Sequence, residues 1–441
     1  MSEQSSRARR STRVTRRQLL GGVGGAAVGG AVLGGAGGYL AASSDPSSAE
    51  GSAAAGAPLT IGALVPVTGP GAADGEEMLR GMRLAAAELN ASGGVGGRPI
   101  RFSVLDAKDQ APNVMTTAVR KFVSDRVALI LSPNLTSTSV ELPIAGRAGV
   151  PLIHMNTLQA SVDFAVEHGY RNIFEACPPE TWYGPGFVAT MDELTKSGAF
   201  EPRTRTAAIV SATDGYSISI AQGFKAEVEK LGWRVVQFDK YVSPQAEWGG
   251  VLGRVRHNDP DVLFQSDFYA GNEASLIKQF VAAPTRTLVY QQYAPSVPQY
   301  RELSGSASDG VLWATVTGSI LDDEPGRRFA ARYREKYDRE PGRSNAGSQY
   351  DVVRLWAYAA GLAGDPYDFD AVGDNIRNLV FRGINGTYHM VDQTCVPYPG
   401  KYRDPSLGMP LQTYQIQDGE QVLISPSPYS TGRFKTPPWL A

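Results

Sequence analysis

From Leu59 onward the chain repeats one unit: a short apolar run, an amphipathic stretch of helical period, then a glycine or proline turn. Few patterns restrict a fold more. A strand that is apolar along its whole length must be covered on both faces, and in a parallel sheet the connecting helices do the covering. Residues 59–65 form the first such run, closed by Pro66. Residues 76–90 carry Met78, Leu79, Met82, Leu84 and Leu89 on one helical stripe, and four glycines within 92–98 stop it. Strands over 100–105, 127–131 and 150–155 follow, with helices over 114–123 and 135–148; Pro143 is expected to kink the latter. A second set begins after Cys177, with helices over 182–194, 218–231, 248–255 and 274–281 and strands over 207–210, 234–238, 262–265 and 288–290. Two helices over 325–337 and 345–362 precede a Gly-, Pro- and Tyr-rich tail with strand-like pieces at 411–417 and 422–424. The pattern predicts an α/β fold of two doubly wound lobes. In such sheets ligands bind beyond the carboxyl ends of the strands, where helix N-termini present bare N–H groups.

The 441 residues suit two such lobes and an extra segment. That segment is N-terminal. Residues 1–42 hold six arginines and a single acid, Glu3; the remainder carries 36 bases against 43 acids, a net charge of −7 that gives no electrostatic reason to bind nucleic acid. Thr15-Arg16-Arg17-Gln18-Leu19-Leu20-Gly21 stands ahead of a Gly- and Ala-rich run over 21–42. It resembles a bacterial twin-arginine (Tat) export signal, which implies an exported protein of the periplasm, cell envelope or exterior. The segment is either cleaved, near Ala41-Ala42 or within 53–57, or kept as an N-terminal anchor. No cysteine follows the run, so a lipoprotein anchor is not expected. Residues 43–57 form a flexible linker of Ser, Ala and Gly. The glycine-rich run has no strand before it and no Lys-Ser/Thr after it, which excludes a phosphate loop.

Catalytic and metal chemistry find little support. The four histidines, at 154, 168, 257 and 389, are scattered, and no Cys-x-x-Cys or His-x-x-x-His spacing occurs, so no metal site is expected. There is no Gly-x-Ser-x-Gly elbow, and the first strand–helix turn reads Val67-Thr68-Gly69-Pro70-Gly71-Ala72 rather than a dinucleotide fingerprint. The expectation is a protein that is not an enzyme and holds no cofactor. Cys177 and Cys395 form a disulfide or stay as two buried thiols; both readings are open.

Longer motifs carry a resemblance. Ile61-Gly62-Ala63-Leu64-Val65-Pro66-Val67-Thr68-Gly69-Pro70, then Gly75-Glu76, Arg80-Gly81-Met82-Arg83-Leu84-Ala85 and Glu88-Leu89-Asn90-Ala91-Ser92-Gly93-Gly94-Val95-Gly96-Gly97-Arg98, resemble the opening of the leucine/isoleucine/valine-binding protein family. These are the type I periplasmic binding proteins of ABC transporters. Ala148-Gly149-Val150-Pro151-Leu152-Ile153, Thr213-Asp214-Gly215-Tyr216 and Ser348-Gln349-Tyr350-Asp351-Val352-Val353 extend the resemblance to the C-terminus. It implies two lobes joined by a three-strand hinge: an N-terminal lobe of residues 58–177 plus 315–380, and a C-terminal lobe of 178–314 plus the tail 381–441. It also implies a monomeric substrate-binding protein that carries a small polar solute (an amino acid, an amide or urea-type compound, or a small organic acid) to a permease in the membrane. The same fold serves in extracellular ligand sensors acting with a receptor, which is the alternative.

The resemblance places a ligand's carboxylate in lobe one, on the loops after two strands: Ser137 and Thr138 on one, Thr157 and Gln159 on the other. Hydroxyls beside a helix N-terminus suit an anion, although Ser and Thr also cap helices for stability alone. From lobe two Tyr216 and Tyr269 are expected to close over the ligand, with Trp182 and Tyr183 near the crossing between lobes. Amino-acid binders of this family place an acid after the strand at 288–290; this chain has Gln291-Gln292-Tyr293. Gln292 is then a ligand contact, and either Asp267 or Glu273 replaces the missing acid or the ligand lacks an ammonium group.

Overall fold

The computed structural model describes residues 56–69, 71–133, 140–400 and 404–440. Residues 1–42, expected to be an export signal, most of the expected linker, Ser137 and Thr138 lie outside the described residues. The first stretch alternates β1 (Leu59–Val65), α1 (Ala72–Ala91), β2 (Ile100–Asp106), α2 (Pro112–Ser124), β3 (Leu129–Leu131), α3 (Glu141–Ala148), β4 (Leu152–His154), α4 (Gln159–Glu167) and β5 (Ile173–Glu175). The second runs α5 (Tyr183–Lys196), β6 (Thr206–Ala212), α6 (Gly215–Lys230), β7 (Arg234–Tyr241), α7 (Gly249–Asn258), β8 (Val262–Ser266), α8 (Ala270–Val281), β9 (Leu288–Gln291), α9 (Pro298–Ser304) and β10 (Leu312–Thr315). Then come α10 (Glu324–Tyr337), α11 (Asn345–Ala363), α12 (Phe369–Asn378), β11 (Val380–Arg382), β12 (Thr387–Val391), β13 (Thr394–Cys395), β14 (Pro397–Tyr398), β15 (Met409–Pro410), β16 (Gln412–Gln417) and β17 (Glu420–Ser425).

These strands form two large sheets, ordered β11-β12-β13-β5-β4-β3-β1-β2 and β17-β16-β10-β9-β8-β6-β7, and a small β14-β15 pair. Each large sheet is parallel through its middle and ends in antiparallel strands taken from the tail. The chain therefore changes sheet three times: after β5, after β10 and after β13. We call the two sheets with their helices lobe one and lobe two.

Sequence explains the central strands directly. Every residue of β6 and β8 is buried, as are all but Thr60 in β1, so helices must cover both faces. In lobe two the covering is aromatic: Phe224, Phe264 and Tyr290 stack at 4.1 and 4.6 Å, and Phe187 lies 4.1 Å from Tyr290. In lobe one α1 packs along α11 so closely that a Cβ at Gly81 would strike the Ala346 carbonyl.

Two expectations need correction, and one open reading is decided. The tail does not go to lobe two as a block. β11, β12 and β13 extend the lobe-one sheet, and only β16 and β17 join lobe two. Asp351 on α11 holds this segment, accepting the Ile384 N–H at 2.8 Å, the Asn385 N–H at 3.0 Å and the Tyr388 hydroxyl at 3.1 Å. Pro143 does not kink a helix, because α3 starts at Glu141; the proline sits in the first turn, where its missing N–H would have had no partner. Cys177 and Cys395 are both free and buried, so of the two open readings the structure takes the unbridged one. Burial pushes both thiols up, which disfavours the reactive thiolate.

Replacing Asp351 by Ala should strand three buried donors. We expect a loss of roughly 3 kcal/mol, read as a lowered urea midpoint, with β11–β13 losing amide-exchange protection before the rest of lobe one.

Candidate functional site

The carboxyl ends of the central strands of both lobes carry the polar groups that the sheets cannot hold. At the end of β2, burial is the largest single influence on Asp106 and raises it. Donations from the Thr68 hydroxyl (2.6 Å) and the Lys108, Thr68 and Val67 N–H groups outweigh this and hold it at about 2. That pins the loop after β1 and so the start of α1. Asp74, in the first turn of α1, accepts the Asn345 side-chain amide at 3.0 Å. Burial, with the Glu77 charge adding, raises Asp74 to about 6 against the pull of Asn345. From lobe two, Tyr293 follows β9 with φ +65°. The Asp74 charge is the largest influence pushing the Tyr293 phenol up, so at this point the two lobes lie near enough for a charge on one to bear on the other.

The loop after β4 is more crowded than an open anion site. Thr157 has φ +59°, and its hydroxyl donates to the Asn156 carbonyl at 2.7 Å. The Gln159 N–H, first in α4, donates to Glu180 Oε2 at 2.7 Å, and its side-chain amide donates to Asp163 at 2.8 Å. Glu180 Oε1 accepts the Ser219 hydroxyl of α6 at 2.8 Å. Thus Glu180, in the first crossover, ties α4 of lobe one to α6 of lobe two. Beside it, Glu175 is fully buried; burial and then the Glu180 charge push it well above the usual carboxylate range, while the Leu158 and Thr157 N–H groups face it. His154 lies 3.9 Å from Glu175, and burial lowers it to about 3, leaving a neutral ring at ordinary pH.

Lobe two contributes a wall of aromatic rings. Tyr183 and Tyr216 meet edge to face at 6.1 Å, Tyr216 and Phe268 likewise at 6.1 Å, and Phe268 lies 4.5 Å from Tyr269. Phe268 and Tyr269 are 37 and 49 % exposed, unusual for rings of that size unless something covers them. Gln292 orients the wall: its Oε1 accepts the Tyr290 hydroxyl, and its Nε2 lies 3.3 Å from the Tyr216 hydroxyl. Gln291 turns inward instead, donating to Gln265 Oε1 and to the Glu273 carbonyl, both at 2.7 Å, and accepting from Tyr300.

The family model for periplasmic binding proteins matches residues 58–397. The chain belongs to that family. The Leu/Ile/Val-binding protein homolog 3 of Brucella melitensis is 22% identical over 313 residues, 71% of this chain and 82% of that protein. A crystal structure from Silicibacter pomeroyi, named for a branched-chain amino acid ABC transporter, is 34% identical with a TM-score of 0.83, covering 87% of this chain and all of that one. The Streptococcus pneumoniae substrate-binding protein LivJ, solved with isoleucine, shares the fold at 18% identity, with a TM-score of 0.68 over 84% of this chain and all of LivJ.

Within this family's fold, Tyr183, Tyr216, Tyr269 and Gln292 come together on one side of the cleft, and Thr157 and Gln159 share the loop after β4. Asp267 does not fill the role offered to it. Its Oδ1 accepts the Phe268 and Tyr269 N–H groups, and its Oδ2 accepts the Tyr241 hydroxyl and the Asn272 amide. Four donors saturate the carboxylate, so it builds the start of α8 rather than meeting a ligand. Glu273 is wholly buried, and burial pushes it well above the usual range. Sequence reading missed Asp74, Glu175, Glu180, Phe268 and the role of Tyr293. Phe268 had a signal, standing beside Tyr269 after a strand; the acids had none, being isolated at helix starts and, for Glu175, at a strand end.

Asp267→Asn keeps the shape but turns one acceptor oxygen into a donor facing other donors. We expect a loss of about 1–3 kcal/mol, seen as a lower urea midpoint for the unliganded protein, which a residue reserved for a ligand would not show.

Proposed function

We propose that this chain is the solute-binding component of an ABC importer, a binding protein and not an enzyme, exported through its twin-arginine segment and working as a monomer with a membrane permease. Its ligand is a small polar solute held in the cleft between the lobes. The observation that carries this reading is the aromatic wall of half-buried Tyr216 and exposed Phe268 and Tyr269, set by Gln292 at strand ends of lobe two, in a chain of a binding-protein family. The names of its relatives point to branched-chain amino acids; the glutamines after β9 favour a different or wider choice of solute.

Bending at the three crossovers would open and close the cleft. An open form loads ligand on the loops of lobe one that carry Thr157, and closure brings Tyr216 and Tyr269 over it. Tyr183, buried in the crossover with its phenol raised to about 12, backs Tyr216 rather than touching solute first. The closed form is the one a permease would accept.

A thermal-shift screen of amino acids, amides, ureas and small acids tests this reading. A ligand at a hundred times its dissociation constant adds roughly 2.7 kcal/mol, a clear rise in melting temperature. Tyr216→Ala should weaken the hit about tenfold or more in calorimetry, because a central aromatic anchor is lost. Unchanged affinity would overturn the placement of the site.

A further inference from the structure

The charge of the solute follows from which polar groups around the cleft are free to meet it. In lobe two, Asp267 is saturated by four donors and Glu273 is sealed beneath α8. In lobe one, the first N–H of α4 is taken by Glu180 and the Leu158 N–H before it lies 3.5 Å from Asn156 Oδ1, so neither is free for a ligand carboxylate. Asp74 differs from all of these. Its Oδ1 takes the Asn345 amide, and its Oδ2 takes no hydrogen bond among the described residues. Tyr293 of the opposite lobe stands against it. Gly75 fixes the position: a Cβ there would collide with the Pro66 carbonyl, so α1 presses onto the loop after β1 and presents Asp74 at the strand ends.

We propose that Asp74 is the cation acceptor of the cleft: a lobe-one carboxylate that pairs with an ammonium or comparable cationic nitrogen of the solute while Tyr293 of lobe two closes on the same group. This rests on the binding-protein reading above. A half-buried carboxylate with an open oxygen is costly alone and is relieved by a charge-assisted hydrogen bond. The Tyr293 hydroxyl, close enough to feel the Asp74 charge, offers an acceptor to the same cation. The cation is thus met by the lobe that loads first, and closure adds an aromatic lid in place of a second charge.

The test is calorimetry on the full chain with three probes: L-leucine, putrescine and benzoate. At least one ammonium probe should bind, benzoate should not, and Asp74→Asn should weaken the ammonium probe about tenfold or more. Wild-type affinity for that probe should also fall as pH drops through about 6, where Asp74 takes up its proton, and Asp74→Asn should flatten this dependence. Glu77 on the same helix and Tyr293 across the cleft are the other titratable groups facing Asp74. Should Asp74→Asn fail to fold, Asp74→Ser replaces it in both readouts, because Asp351 on α11 is also raised to about 6 and the wild-type profile alone does not separate the two. Binding of benzoate only, or of an ammonium probe indifferent to Asp74→Asn and to pH near 6, overturns the assignment and leaves the binding-protein reading standing. No binding of any probe counts against both.

Discussion

β6 and β8 bury every side chain, and β1 all but one. Water reaches these strands only at their ends, so any group that must stay polar is driven there. The helices that cover the faces start at the same ends, and their first N–H groups have no partner within the helix. Two sheets built this way, with the chain passing between them three times, leave polar loops beside one another. The cleft is a consequence of covering the sheets, not a separate invention.

What fills those ends differs between the lobes. Lobe two answers with amides: Gln291 bonds Gln265, Gln265 Nε2 lies 3.3 Å from the Tyr241 hydroxyl, and Tyr241 donates to Asp267. An amide both donates and accepts, so the glutamines pass the bonding on until it ends at one carboxylate, Asp267, whose oxygens are all taken. Lobe one answers with carboxylates. Asp106 is held ionised by four donors, whereas burial biases Glu175 toward the protonated acid. Glu180, bonded from both lobes, makes the first crossover part of each and limits how far α4 and α6 can separate while that contact lasts.

Much of the fold was legible because it rests on period. Fully apolar runs such as Leu59–Val65 and the helical stripe of α1 announce a covered parallel sheet. The tail was not legible in the same way. β11 and β13 have only three and two residues, too short for a period to show; the place of β13 beside β5, with β12 and β11 beyond it, is decided by Asp351 and by the Thr394–Glu175 register, both distant in sequence. The aromatic wall could be read from tyrosines after strands. The acids could not, because an isolated Asp or Glu looks alike whether it caps a helix, ties two lobes or waits for a ligand.

Asp267 and Asp74 show how that ambiguity resolves. Both follow or precede a helix start, and both lie near the cleft. Asp267 sits where two backbone N–H groups, a phenol and an amide converge, so its charge is spent before any ligand arrives. Asp74 meets one amide and one facing phenol, and burial lifts its proton affinity because too few donors oppose it. Donor count and access together, not position after a strand, separate these acids: Glu175 and Glu273 lack donors but are sealed from solvent, whereas Asp74 has an open oxygen and is only partly buried. On that basis the exchange of acid for glutamine after β9 leaves lobe one as the side that supplies the charge.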